Sequence, residues 1–300
     1  HTAYRPPARG RLRMLLDADS FVEVDTFVQH RSGDFNMHLH RPYGDGVVAG
    51  HGMIDGRRVV CFAQDFAVFS GTMGEMHARK IAKIAAFAEK AQLPLIGIWD
   101  GDGQRVEDGV PALGATGELL DILVACSGRI PIFSVILGTV AGVSALAAGL
   151  SDFVILSEDN GQMFMRSPYF IPEIASGEID QQSLGGAEAH ASRSGLACLV
   201  AEDEEDAILS AIEILAYLPD HTLAEPVRIR SEDPANRSCD KLTEILPEDS
   251  NRPYDMRHVI AEIVDEGRFL ELFGTYAENI VIGFARLDGQ TVGIIGNQPK

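Results

Sequence analysis

Two glycine-bearing turns, Gly101–Arg105 (GDGQR) and Gly138–Ser144 (GTVAGVS), carry the residue types of this chain best suited to chemistry. Each follows an apolar run rich in Ile, Leu and Val, Leu95–Trp99 and Ile130–Leu137, as expected of a strand buried on both faces. The second turn opens a helix of small residues at Ala141-Gly142-Val143-Ser144, and another apolar run, Phe153–Leu156, follows at once. A helix start leaves N–H groups without intrahelical acceptors. Such groups bind anions, and in an enzyme they hold the oxyanion that develops on a carbonyl. Two such turns at the C-terminal edge of a sheet, where open α/β sheets bind ligands, could together hold the enolate of a thioester. Glycine also serves a tight strand-to-helix turn with no chemistry attached.

Other signatures fail. Gly101-Asp-Gly103-Gln-Arg-Val106 lacks the third glycine of a dinucleotide fingerprint. Asp100-x-Asp102 would need Glu at the twelfth position of a calcium loop, where Pro111 stands. His38 and His40 alternate without an acidic or thiol partner at a useful spacing, so no metal site is expected. Gly142-Val-Ser144 continues with Ala and Leu and is not a nucleophile elbow.

The turns must be positioned by alternating strands and helices. Gly46–Met53 and Val59–Phe62 flank Asp55-Gly56 and read as a hairpin. Glu75–Lys90 is amphipathic, with Ile81, Ile84, Ala85 and Ala88 on one face and Lys80, Lys83 and Glu89 opposite. Leu12–Leu16, Leu113–Ser127, Ala201–Leu218 and Met256–Val264 read as helices, and Met163–Met165, Phe269–Phe273 and Asn279–Leu287 as strands. Asp288-Gly289 turns the last of these into Thr291–Ile295. Residues 219–254, rich in Pro, Asp, Glu and Arg, read as an exposed connection. The alternation predicts an α/β fold.

The chain has 300 residues, 46% of them hydrophobic, and a net charge of −19. That charge argues against nonspecific nucleic-acid binding. No membrane span is expected outside the glycine-interrupted stretch. The basic N-terminal HTAYRPPARGRLRMLL lacks the apolar core and cleavage site of a signal peptide. Cys61, Cys126, Cys198 and Cys239 are scattered, so free thiols in a reducing cytoplasm are expected. The sequon Asn236-Arg-Ser238 is read as chance.

The stretches DSFVEVDTFVQHR (19–31), GDGVVAGHGMIDGRRVVCFAQDFAVFSGTMGEMHARKIAKI (44–84), LGGAEAHASRSGLACLVAEDEEDA (184–207), NRPYDMRHVI (251–260) and FARLDGQTVGIIGNQP (284–299) resemble the carboxyltransferase family of biotin-dependent acyl-CoA carboxylases, β subunits of the propionyl- and acetyl-CoA type. The resemblance covers essentially all 300 residues and matches the N-terminal half of that family's subunit. It implies a crotonase-like spiral of stacked ββα units forming one domain over 1–300, with the C-terminal half absent from this chain.

It further implies that this half binds acyl-CoA, a coenzyme A thioester, while biotin rides on a separate carrier protein. Carboxybiotin would release CO2, the freed ureido nitrogen would take the α-proton, and the enolate would attack CO2. The expected partners are the biotin carboxyl carrier protein, biotin carboxylase and a C-terminal carboxyltransferase half, in a homo-oligomer. By resemblance, Gly142 and Val143, with Ala141 before them, match the family's G-P-C-A-G-G motif. Asp100 to Arg105 match D-S-G-G-A-R, which puts Gly103 and Gln104 beside the catalytic amides and makes Arg105 a phosphate or carboxylate contact. Gly71, Thr72 and Gly74 fall in a ligand-facing loop. His77 and Lys80 read as solvated or capping groups, and His190 and Arg193 sit in a motif of open purpose. Val143 for glycine, Leu146 for tyrosine and Asp102 for a small neutral residue depart from the pattern. Three alternatives stand beside this reading: a decarboxylase of the same family, a ClpP-like peptidase with Ser144 as nucleophile, and a degenerate, non-catalytic assembly subunit.

Overall fold

The computed structural model describes residues 5–234, 236–249 and 252–300. Residues 1–4 of the basic N-terminal stretch, residues 235 and 250 of the connection, and Asn251 of the NRPYDMRHVI motif lie outside them. In chain order the elements are α1 (Ala8–Leu15), β1 (Val22–Val24), β2 (Val47–Ile54), β3 (Arg57–Gln64), α2 (Glu75–Ala91), β4 (Leu95–Gly101), α3 (Gly109–Cys126), β5 (Ile132–Ala141), α4 (Val143–Gly149), β6 (Phe153–Ser157) and β7 (Gln162–Phe164). The single-turn helices α5 (Pro172–Ala175) and α6 (Gln181–Gly185) lead to β8 (Leu199–Ala201) and α7 (Glu204–Leu215). After a further turn, α8 (Leu242–Ile245), come α9 (Met256–Ile263), β9 (Phe269–Leu272), β10 (Ile280–Leu287) and β11 (Gln290–Asn297).

The main sheet runs β1-β2-β3-β4-β5-β6-β8, with β7 paired to the end of β5. β1 to β3 are antiparallel, and β3 through β8 pair in parallel. Both DG turns take the left-handed conformation that a tight hairpin requires: Asp55 and Gly56 have φ +49° and +76°, Asp288 and Gly289 +51° and +73°. Parallel strands are covered on both faces, so their apolar residues serve two cores. Val60, Phe62, Trp99 and Ile136 pack toward α2, α3 and α4. Val59, Cys61, Ile96, Ile98 and Val135 pack toward α1 and α7. β9–β11 form a second, three-stranded sheet whose small core joins Val281 and Ala285 to Ile260 and Val264.

Two sequence expectations change. Ala201 ends β8 instead of opening a helix; α7 starts at Glu204, capped by the Asp203 carboxylate on the Asp206 N–H. His77 and Lys80 are buried, not solvated. They share the inward face of α2 with Ile81, Ile84 and Ala88, and Lys80 Nζ donates to the Val47 carbonyl at 2.7 Å. Burial draws the Lys80 ammonium down to about 8. α3 is long and apolar enough to cross a membrane by length and composition, and its inner face packs along α2. No described residue of 219–254 is buried.

Candidate active site

The two glycine turns lie side by side at the C-terminal edge of the parallel strands. β4 and β5 run in register from Leu95 opposite Ile132, shift by a bulge after Trp99, and end with Gly101 opposite Val140. A bulge at this place re-aims the chain out of the ladder. Beyond it the loops touch: a Cβ at Gly103 (φ +83°) would lie 3.1 Å from the Ala141 carbonyl oxygen. Gly142 has φ +56° and ψ −127°, outside the reach of other L-residues, and the space a side chain would enter is open.

Of Gly142, Val143, Gly103 and Gln104, the residues expected to carry the oxyanion chemistry, Gly142 and Gly103 have their N–H groups spent internally. Gly142 N–H donates to Phe164 O at 2.9 Å, completing the β5–β7 pairing, and Gly103 N–H donates to Gly101 O at 2.9 Å. The free donors fall one residue later. The first bond of α4 runs from Leu146 N–H to Gly142 O, so the N–H groups of Val143, Ser144 and Ala145 have no acceptor among the described residues. The Gln104 N–H has none either, between Gly103 O, which accepts from Met73, and Arg105 N–H, which donates to Met73 O. Valine at 143 costs no backbone strain, because the positive φ is confined to Gly142. The Gln104 side chain is scaffold: its amide donates to Met73 O (2.8 Å) and accepts from Thr116 Oγ1 (3.2 Å).

Arg105, expected as a phosphate or carboxylate contact, is buried in an ion-pair cluster of the protein's own. Its side chain is 1% exposed and its guanidinium reaches Asp45 Oδ1 at 2.5 Å and Thr72 O at 2.9 Å, with Asp108 Oδ2 at 3.7 Å. The Phe69 ring covers it, 4.6 Å from its centroid. The loop 71–74 is likewise internal. A Cβ at Gly71 (φ +66°) would strike Asp100 O at 2.2 Å, and one at Gly74 would strike Asp108 Oδ2 at 2.3 Å. Thr72 Oγ1 bonds Phe69 O. The start of α2 is capped by carboxylates, Asp108 on Glu75 N–H and Asp45 on His77 N–H. These glycines permit close approach of the loop to Asp100 and Asp108.

Below the loops lies a buried polar layer. Gln64 accepts from Asp100 N–H and approaches His77 Nε2 at 3.2 Å, while His77 Nδ1 meets Asp45 O at 3.0 Å. Burial and the Arg105 charge push His77 down to about 3, so it is neutral. Burial raises the Asp45 carboxyl despite the opposing pull of Arg105. Asp100, wholly buried, is gripped by Arg11 at 2.8 Å and Arg5 at 2.9 Å. Its carboxylate occupies the volume beside Gly138, 1.9 Å from where a Cβ would stand. Ser144 is buried with its hydroxyl unpartnered; it has no base, and the peptidase alternative loses its nucleophile. Asp102 is half-buried, with one carboxylate oxygen unpartnered.

The sequence reading missed Asp45, Asp108, Gln64 and Phe164. Asp45 carried a signal in its flanking residues, Gly44 and Gly46, which permit the left-handed run of φ +82°, +51° and +79° across the three.

A crotonase-like α/β scaffold, with backbone amides at the C-terminal edge of its sheet, is the class that this architecture defines. Within it the chain belongs to the carboxyl transferase domain family, which matches residues 3–300. It is 43% identical over its whole length to the methylmalonyl-CoA decarboxylase α subunit of Veillonella parvula, covering 59% of that protein. It is 42% identical to the biotin-dependent acetyl-/propionyl-coenzyme A carboxylase β5 subunit of Mycobacterium tuberculosis (strain H37Rv), again over the whole chain and covering 56% of the relative. The transcarboxylase 12S structure, a hexamer with hydrolysed methylmalonyl-coenzyme A bound, superposes with a TM-score of 0.93 at 37% identity, covering 98% of this chain and 57% of that one. The chain thus spans somewhat over half the length of these relatives.

Proposed function

We propose that this chain is the acyl-CoA-binding half of a carboxyltransferase that moves CO2 from carboxybiotin to the α-carbon of an acyl-CoA. The observation that carries the reading is the pair of unspent amides, Gln104 and Val143, on loops that touch between Gly103 and Ala141. Backbone donors fixed in place hold a thioester oxygen more tightly as it becomes an enolate, and removal of one such donor typically costs about 3–4 kcal/mol of transition-state stabilisation. The open space at Gly142 and the absence of an internal acceptor for these amides fit such an oxygen. Carboxybiotin, delivered by a carrier protein, supplies the CO2 and the ureido nitrogen that accepts the α-proton. The chain's own part is to bind the thioester, orient it and stabilise its oxygen. No charged side chain is required for that work.

Partners follow from the reading: a biotin carboxyl carrier protein, a biotin carboxylase, the C-terminal carboxyltransferase half and further copies in a homo-oligomer, in the cytoplasm. Decarboxylation of a malonyl-type thioester through the same enolate is the second reading, favoured by the likeness to the Veillonella protein. The full-length protein, mixed with carrier charged with 14C-carboxybiotin and propionyl-CoA, should yield acid-stable labelled product. Release of label from a 14C-malonyl-type thioester, with no forward transfer, would select the second reading. Neither reaction, in a preparation that binds acyl-CoA, would leave only the degenerate assembly subunit.

A further inference from the structure

In the motif Leu184–Gly195 (LGGAEAHASRSG), Gly185, Gly186 and His190 converge on β7. Gly185 lies so close that a Cβ would stand 2.4 Å from the Phe164 ring and 2.6 Å from Met163 O. Gly186 forms a single antiparallel bridge with Gln162. His190 Nε2 lies 2.9 Å from Met163 O and its Nδ1 3.0 Å from Ser194 Oγ. A carbonyl only accepts, so Nε2 carries a proton and donates it to Met163 O; Ser194 Oγ, beside Nδ1, also lies 3.3 Å from the His190 carbonyl oxygen. The ring sits in a wide π-type turn, Ala189–Ser194, a geometry that departs from the ordinary helix and recurs at functional sites. Gly195 (φ +65°) closes the turn flat against the Tyr276 ring.

β7 is short and pairs with β5 at Thr139, Val140 and Ala141. Successive carbonyls along a strand point to opposite edges. Phe164 O faces β5 and accepts the Gly142 N–H; Met163 O therefore faces the other edge, where His190 meets it. A strand this short has few bonds to hold its register. The Gly142 peptide in turn fixes the plane of the next amide, Val143.

We infer that His190 is a positioning residue for the Val143 amide, acting through Met163, Phe164 and Gly142. The inference rests on the proposed enolate chemistry for its consequence in turnover, but not for its structural content. With the imidazole removed, Met163 O is left buried without a donor, β7 loosens, and the Gly142–Phe164 bond opens more often.

The test uses the full-length protein assembled with its carrier, as wild type, His190→Ala and His190→Gln. Hydrogen exchange is followed in the peptide spanning 139–146. His190→Ala should speed exchange of the Gly142 amide by about tenfold or more, the size of one lost buried hydrogen bond. His190→Gln keeps an N–H donor and should restore most of the protection. Turnover should follow, with kcat falling about tenfold or more in His190→Ala, KM for acyl-CoA little changed, and Gln again rescuing. Unchanged exchange at 139–146 in His190→Ala overturns the inference, whether or not the wild type turns over. Equal loss in Ala and Gln variants, tracking a common fall in Tm, overturns it as well. A wild type that transfers no CO2 in either direction, with exchange altered as expected, would leave the positioning intact and remove the proposed function instead.

Discussion

The Gly101–Arg105 turn is held by buried charge, whereas the Gly138–Gly142 turn is held by backbone pairing. In the first, Arg105 joins Asp45, Asp108 and Thr72 O, and ladder-like bonds through Met73 fasten Gly103 and Arg105. In the second, Phe164 O takes the Gly142 N–H, while the ion-paired Asp100 carboxylate only packs against Gly138. Both deliver one neutral amide to the same edge. The difference teaches that donor placement needs rigidity, not any one source of it. A charged scaffold brings sensitivity to protonation and to loss of a partner, and a backbone scaffold brings sensitivity to any change in allowed dihedral angles.

Breaking the charged side is expected to have the largest effect. Arg105→Met leaves Asp45 and Asp108 buried with no cation, and should cost about 3–5 kcal/mol in a denaturant titration of the full-length protein. Arg105→Lys should recover only part, since an ammonium cannot span Asp45 and Thr72 O as the planar fork does. A loss below about 1 kcal/mol for the methionine variant would mean that the cluster is solvated in solution. On the backbone side, Gly142→Ala meets no neighbour, so its penalty is conformational: about 1–2 kcal/mol for the forced backbone. If the chain relieves that strain by turning the Val143 amide, kcat should fall about tenfold or more, with KM nearly constant. Steady-state kinetics that show a pure KM effect would place Gly142 outside the oxyanion geometry.

A third test separates the scaffolds by pH. His77, beneath the charged turn, has its folded pKa pushed from 6.5 to about 3. The unfolded chain therefore binds a proton that the folded one refuses, and the contribution present above 6.5 is lost as pH falls toward 3. Stability should decline by about 1.4 kcal/mol per pH unit across that window from this group alone. His77→Gln, which keeps donor and acceptor capacity, should flatten that slope. An unchanged slope would mean that water reaches the ring.

Most of the architecture was legible because its signals are local. The DG pairs specify left-handed turns, and unbroken apolar runs such as Leu95–Trp99 specify parallel strands. The site was less legible because it depends on which way peptide groups face. The sequence marks Gly142, Val143, Gly103 and Gln104 together, and only the folded peptide orientations show that the unspent N–H groups are those of Val143 and Gln104. Arg105 read as a ligand contact through the resemblance of its loop, and its burial was not legible because its partner Asp45 lies far away along the chain. His77 and Lys80 were recoverable, since spacing alone sets them on the face of Ile81, Ile84 and Ala88, and only their polarity argued otherwise.

Asp100 and Gly138 behave as a single lock. The carboxylate fills the place where any larger residue at 138 would put its first carbon, so enlargement there demands a shorter group at 100. Shortening Asp100, however, removes the anion that Arg5 and Arg11 share and leaves the buried Arg11 guanidinium with Glu204 alone. Each step is harmful alone, and this corner of the molecule is shielded from gradual drift by a valley that no single substitution crosses.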